Sequence, residues 1–105
     1  MSIVRVDVRP EARLDLAEAV GWYAQRDVER AVRFVKAFDD RLERIRRFPK
    51  SGEPFERGTR RLLLTGWPYQ MIYRTVEDYC EVVAVSNTNR DQSYWRDRQI
   101  GRAHV

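Results

Sequence analysis

Cysteine, histidine and lysine are nearly absent from this chain of 105 residues. Cys80 is the single cysteine, so no internal disulfide framework can support the fold. Lying inside an apolar run, Cys80 reads as a small buried hydrophobe. His104 is the single histidine and falls in the terminal segment Ile100 to Val105 that is set aside from the fold, so no histidine base is credible. The chain calls for no metal and no cofactor. No apolar stretch is long enough to cross a membrane, and the start carries no signal-peptide pattern. These absences predict a cytoplasmic protein with no membrane partner. Only Lys36 and Lys50 are lysines, so the net charge of +4 rests on arginine. Arginine offers a planar fork to carboxylates and phosphates. That suits an acidic protein partner or nucleic acid, and the charge alone does not choose. A G+C-rich genome produces the same richness in arginine.

A chain of this size is one domain that buries only about two-thirds of its unfolded surface, so its core is thin. Ile3 to Val8 alternates, with Val4, Val6 and Val8 on one face, which predicts a short strand. Arg9-Pro10-Glu11 opens a helix: proline suits the first turn, and Glu11 there favours the helix dipole. Ala12, Leu16, Ala19, Val20 and Tyr23 share one face of it, with Trp22 at the edge. Asp27 can cap a second helix. Ala31, Val35, Phe38, Leu42 and Ile45 recur there at steps of four and three, and Phe34 widens the stripe. Pro49 disfavours helix in the residue before it, so this helix stops near Phe48.

Lys50 to Arg57 reads as loop. Strands follow at about 59–65, 69–76 and 80–86, separated by Gly66-Trp67-Pro68 and Glu77-Asp78. Strands joined this tightly pair antiparallel. The expected order is β-α-α-β-β-β, an α+β fold with a helical hairpin on one face of a small antiparallel sheet. Residues 1–99 form the expected domain. Ile100 to Val105 reads as the in-frame product of a sequencing-library adapter, and it is set aside from the fold together with His104.

Several local patterns occur in a fixed order. Ala12-x-x-Asp15-Leu16-x-Glu18 precedes Trp22-Tyr23, then come Ala31-x-x-Phe34 and Leu42-x-x-Ile45. Pro49-x-x-Gly52-x-Pro54 follows, then Arg60-Arg61-Leu62, Pro68-Tyr69-x-x-x-Tyr73-Arg74 and Arg90-Asp91 with Tyr94-Trp95. In this order and spacing they resemble the RelE/ParE superfamily of toxins from type II toxin–antitoxin modules, with the ParE-like branch the nearer match. The resemblance spans roughly Val4 to Arg98. It implies a growth-inhibiting toxin neutralised by a cognate antitoxin, and the same β-α-α-β-β-β order.

The resemblance also frames the chemistry. RelE-like toxins cut messenger RNA on the ribosome, which needs a base, an acid and cations around the phosphate. Of the paired basic positions on the first of the three strands, Arg61 keeps one and Leu63 replaces the other. Gln70 stands where a catalytic arginine follows the tyrosine in the next strand. Arg90 keeps the arginine after the last strand. The late tyrosine falls near Arg96, with Tyr94 two residues away. The ribonuclease candidates are therefore Arg61, Arg90 and Tyr94. ParE-like toxins lack this set and poison DNA gyrase by binding it. The expected target-binding residues are Arg74, Arg90, Tyr94 and Trp95, and the expected antitoxin-binding residues are Arg60, Arg74 and Arg90. Two readings stay open: a gyrase-binding toxin, and a ribosome-dependent endoribonuclease. Each residue also has a structural role available. Trp67-Pro68-Tyr69 reads as a packed turn, Tyr94-Trp95 as a tail folded back on the sheet, and Arg90-Asp91 as an ion pair or a turn cap.

Overall fold

Two start signals set the helices. In the computed structural model, which describes residues 3–90, 94–96 and 98, Pro10 occupies the first turn of α1 (Pro10–Ala24). Asp27 caps α2 (Val28–Arg47), its carboxylate accepting from the Arg30 backbone N–H at 3.2 Å. Phe48 ends α2 one residue before Pro49. The strands are β1 (Arg5–Val8), β2 (Glu53–Pro54), β3 (Arg60–Leu63), β4 (Tyr69–Val76) and β5 (Tyr79–Asn87). They form one sheet in the order β1-β5-β4-β3-β2. The fold is α+β, with the helical hairpin against one face, as the sequence predicts.

The sheet departs from expectation in two ways. β1 pairs parallel to β5, with Val6 opposite Cys80, so the sheet is mixed rather than antiparallel. Tight turns force antiparallel pairing only on the strands they join. β1 is separated from the rest by both helices, and their crossover sets its direction. The segment expected as loop also adds β2, where Glu53 lies opposite Arg61.

Alternation sorts each strand between the faces. Met71, Tyr73, Cys80, Val82 and Val85 pack with Leu64 beneath Ala12, Ala19 and Tyr23 of α1 and Phe34, Phe38 and Ile45 of α2. The predicted stripe on α2 holds at Ala31, Phe38, Leu42 and Ile45 and departs at one position. Phe34 is fully buried, whereas Val35 is 37% exposed. Phe34 sits edge-on to Trp67 at 5.0 Å and to Tyr69 at 5.1 Å between ring centroids, with Tyr23 at 5.2 Å. Four aromatic rings from three elements outweigh one valine in setting how the helix turns. Trp67 is thus part of a packed turn, and Gly66 supplies the left-handed φ of 88° that the turn requires.

The second face has its own small core. Ile72 lies opposite Ala84 and the next residue, Tyr73, lies opposite Val82, so Val83 is an extra residue in β5. This bulge turns both Val83 and Ala84 to the second face. There they pack with Ile72 against Trp95 and Phe55. The face away from the helices is therefore covered by the chain's own aromatic residues, with Trp95 folded back on the sheet as the sequence reading has it.

Candidate functional site

α1 lies across the part of β5 that extends beyond β1. Since β1 pairs only with Tyr79 to Val82, the following backbone groups of β5 have no strand neighbour on that side. Side chains satisfy them. Asp15 accepts from the Val85 N–H at 3.0 Å. Arg98 donates to the Val83 carbonyl at 3.1 Å and grips both Asp15 oxygens, at 2.8 and 3.0 Å. The Tyr94 hydroxyl donates to the Val85 carbonyl at 3.3 Å. An uncovered strand edge is a template for unwanted pairing, and this cluster closes it. Burial and then the Asp15 charge push the Tyr94 hydroxyl up to about 12, so it is neutral at physiological pH.

Beside this cluster lies a cleft of about 670 Å³. Asp15, Glu18, Trp22 and Tyr23 of α1 form one wall, Pro68 and Tyr69 another, and Asn87, Asn89, Arg90, Tyr94 and Arg98 the third. Trp22 and Tyr94 are 48% and 42% exposed, so the cleft presents aromatic surface beside both signs of charge. Exposed aromatic rings beside mixed charge are what protein-recognition surfaces carry.

The sequence-predicted residues fall in three places. Arg90 and Tyr94 line this cleft. Arg61 does not; it points from β3 to the second face, ion-paired with Glu53 and stacked 4.6 Å over the Phe55 ring. The ribonuclease candidates Arg61, Arg90 and Tyr94 therefore do not line a common cleft. Gln70 is buried on the same face as Arg61, with its amide 3.5 Å from the Ser86 hydroxyl, and Leu63 lies opposite it, exposed. Arg74 pairs with the buried Glu81 at 3.2 Å. Arg60 faces the helix side and donates to the Gly52 carbonyl at 2.7 Å, tying down the loop before β2. Trp95 is fully buried. Asp91, the predicted partner of Arg90, lies outside the described residues, as does Ile100 to Val105.

Asp15, Glu18 and Arg98 were not singled out by chemistry in the sequence. Asp15 did carry a signal. It stands three residues after Ala12 and four before Ala19, so it is a carboxylate at a stripe position, where a buried charge needs a partner. The partner, Arg98, is 83 residues away and not readable from local pattern. Among the described residues no group of three or more histidine, cysteine, aspartate or glutamate side chains is placed to hold a metal ion.

A solved structure described as the chromosomal ParDE TA system from P. aeruginosa superposes with a TM-score of 0.74 and 19% identity, over 81% of this chain and 96% of that one. No curated protein matches the chain. The family model for the ParE toxin of the type II toxin–antitoxin system parDE matches residues 6–92. With most of its length matched in this way, the chain belongs to the ParE toxin family of type II toxin–antitoxin systems.

Proposed function

We propose that this toxin acts by binding DNA gyrase and carries out no chemistry of its own. The observation that carries the reading is Gln70. It occupies the position where the ribonuclease branch has an arginine, and it is buried against Ser86 rather than presented to a phosphate. An amide there supplies no charge to a developing phosphorane. Two further cations are already committed to carboxylates, Arg61 to Glu53 and Arg74 to Glu81. The target contact is assigned to the cleft that holds Arg90 and Tyr94, with Arg74 and Trp95 contributing from the second face. Work in the cytoplasm follows from such a target.

The antitoxin is expected to be an acidic segment that folds on binding, lays a helix across the helical hairpin and reaches the arginines Arg60, Arg74 and Arg90. Leu14 on α1 and Val28 and Val32 on α2 each expose more than half of their surface, which gives such a helix apolar ground.

A paired assay tests the target. Purified wild-type protein should block gyrase supercoiling and leave messages on translating ribosomes uncut, and Arg90→Ala should weaken the gyrase block. Site-specific message cleavage that disappears in Arg90→Ala overturns the reading in favour of the endoribonuclease.

A further inference from the structure

Of the C-terminal residues, Trp95 and Arg96 reach onto the second face of the sheet while Tyr94 and Arg98 bond to the β5 edge, and Trp95, Arg96 and Arg98 are helical. Among the described residues, no backbone–backbone hydrogen bond joins them to the sheet. Side chains do the holding at both ends. On one side Arg96 pairs with Glu56 at 2.6 Å, on the short turn between β2 and β3. On the other, Arg98 grips Asp15, and its own carbonyl accepts from Arg9 at 2.9 Å. Between these two ion pairs Trp95 fills the second-face core, its ring 5.8 Å from that of Phe55.

That core is small and separate from the main one. The Trp95 indole N–H is buried there without an acceptor. An unsatisfied buried donor disfavours the closed arrangement, and opening to water relieves it. Of the two ion pairs, Arg96–Glu56 is part-exposed and Arg98–Asp15 is largely buried, so the Glu56 end is the one that opens to water more readily.

We propose that these residues form a strap that opens as a unit without unfolding the domain, carrying Trp95 from the second-face core into solvent. Opening bares Ile72, Val83 and Ala84 and releases the capped edge of β5. The strap's role rests on the proposed target reading: Trp95 has no exposed surface when closed, so it touches a target only when the strap is open. The ion pairs at its two ends set the balance, and salt favours opening by screening the part-exposed Arg96–Glu56 pair.

The test uses the full chain without any target, which keeps the strap separable from the gyrase reading. Fluorinated tryptophan gives each indole its own resonance, assigned by single Trp→Phe variants, and indole N–H exchange is followed in parallel. Arg98→Met removes one pin and Glu56→Gln weakens the other; Arg98→Lys restores the charge. We expect Trp95 exchange to quicken at least about tenfold in Arg98→Met, with partial recovery in Arg98→Lys, while Trp67 and the Met71 amide keep their wild-type protection. Added salt should shift wild type the same way. Exchange at Trp95, Trp67 and Met71 that rises together means global unfolding and overturns the strap. So does a Trp95 signal that none of the variants moves. Independent opening in a protein that leaves gyrase untouched keeps the strap and removes only the target assignment.

Discussion

Gly52 and Tyr73 are locked together: the Gly52 N–H donates to the Tyr73 hydroxyl at 2.9 Å, and that hydroxyl donates to the Pro49 carbonyl at 2.8 Å. Burial pushes the Tyr73 hydroxyl above its ordinary acidity range, so it stays protonated and able to serve both bonds. A side chain at Gly52 has no room, because a Cβ would stand 2.8 Å from both the Arg61 carbonyl and the Tyr73 ring. Glycine is needed here for close approach. Gly52→Ala should therefore destabilise the domain by about 1–3 kcal/mol. Tyr73→Phe strands the buried Gly52 N–H and the partly buried Pro49 carbonyl and should cost about 1–3 kcal/mol. Urea unfolding midpoints measure both, and a Gly52→Ala midpoint equal to wild type would show that the loop yields freely.

The phase of α2 gives a second prediction. Phe34→Ala removes a fully buried ring from the cluster with Tyr23, Trp67 and Tyr69, and should cost about 3–5 kcal/mol. Val35→Ala, on the half-open side, should cost about 1 kcal/mol or less. Circular dichroism melts of the two variants compare them directly. Equal losses would return Val35 to the buried stripe that the sequence predicts.

The proposed antitoxin surface is open to a test that spares the fold. Val32 is 63% exposed on α2, so Val32→Asp should leave the melting temperature nearly unchanged. Placed under an acidic apolar helix, the new charge should weaken capture of the co-expressed antitoxin at least about tenfold. Pull-down and titration read this. Undiminished capture would move the antitoxin elsewhere on the toxin.

Tyr94 predicts a response to alkaline pH. Its ordinary value is 10.0 and its folded value is raised to about 12, so the fold holds the proton more tightly than the unfolded chain does. The stability gained is fully present below pH 10 and is lost as pH rises towards 12. Tyr94→Phe has no proton to lose and should flatten that part of the decline. Tyr23 and Tyr73 shift in the same direction, so the difference between wild type and Tyr94→Phe is the quantity to measure. Identical alkaline profiles would place the Tyr94 hydroxyl outside the strap's balance.

Helix starts and strand turns were legible in the sequence because their causes are local. Pro10, Asp27, Pro49 and Gly66 act through their own backbone or within a few residues of it. The branch was also legible, since Gln70 and Leu63 are departures at single positions. The candidate site was legible only in part. Arg90 and Tyr94 belong to one cleft, but Arg61 and Trp95 lie elsewhere, and Asp15 gains its meaning from Arg98.

What the sequence determined by itself was the list of elements except β2, the antiparallel pairing of β3 to β5 and the family to which they point. Only the tertiary structure decided the parallel direction of β1, the exposure of Val35 on α2 and the partners that Trp95 meets on the second face. The physical reason is range. Capping, turn geometry and alternation are settled over a few residues, whereas strand direction across a helical crossover and the packing of Phe34 or Trp95 are settled by partners distant in the chain. The bulge at Val83 joins the two scales: one extra residue in β5 turns Val83 and Ala84 outward together, and only the folded sheet supplies Ile72 and Trp95 to meet them.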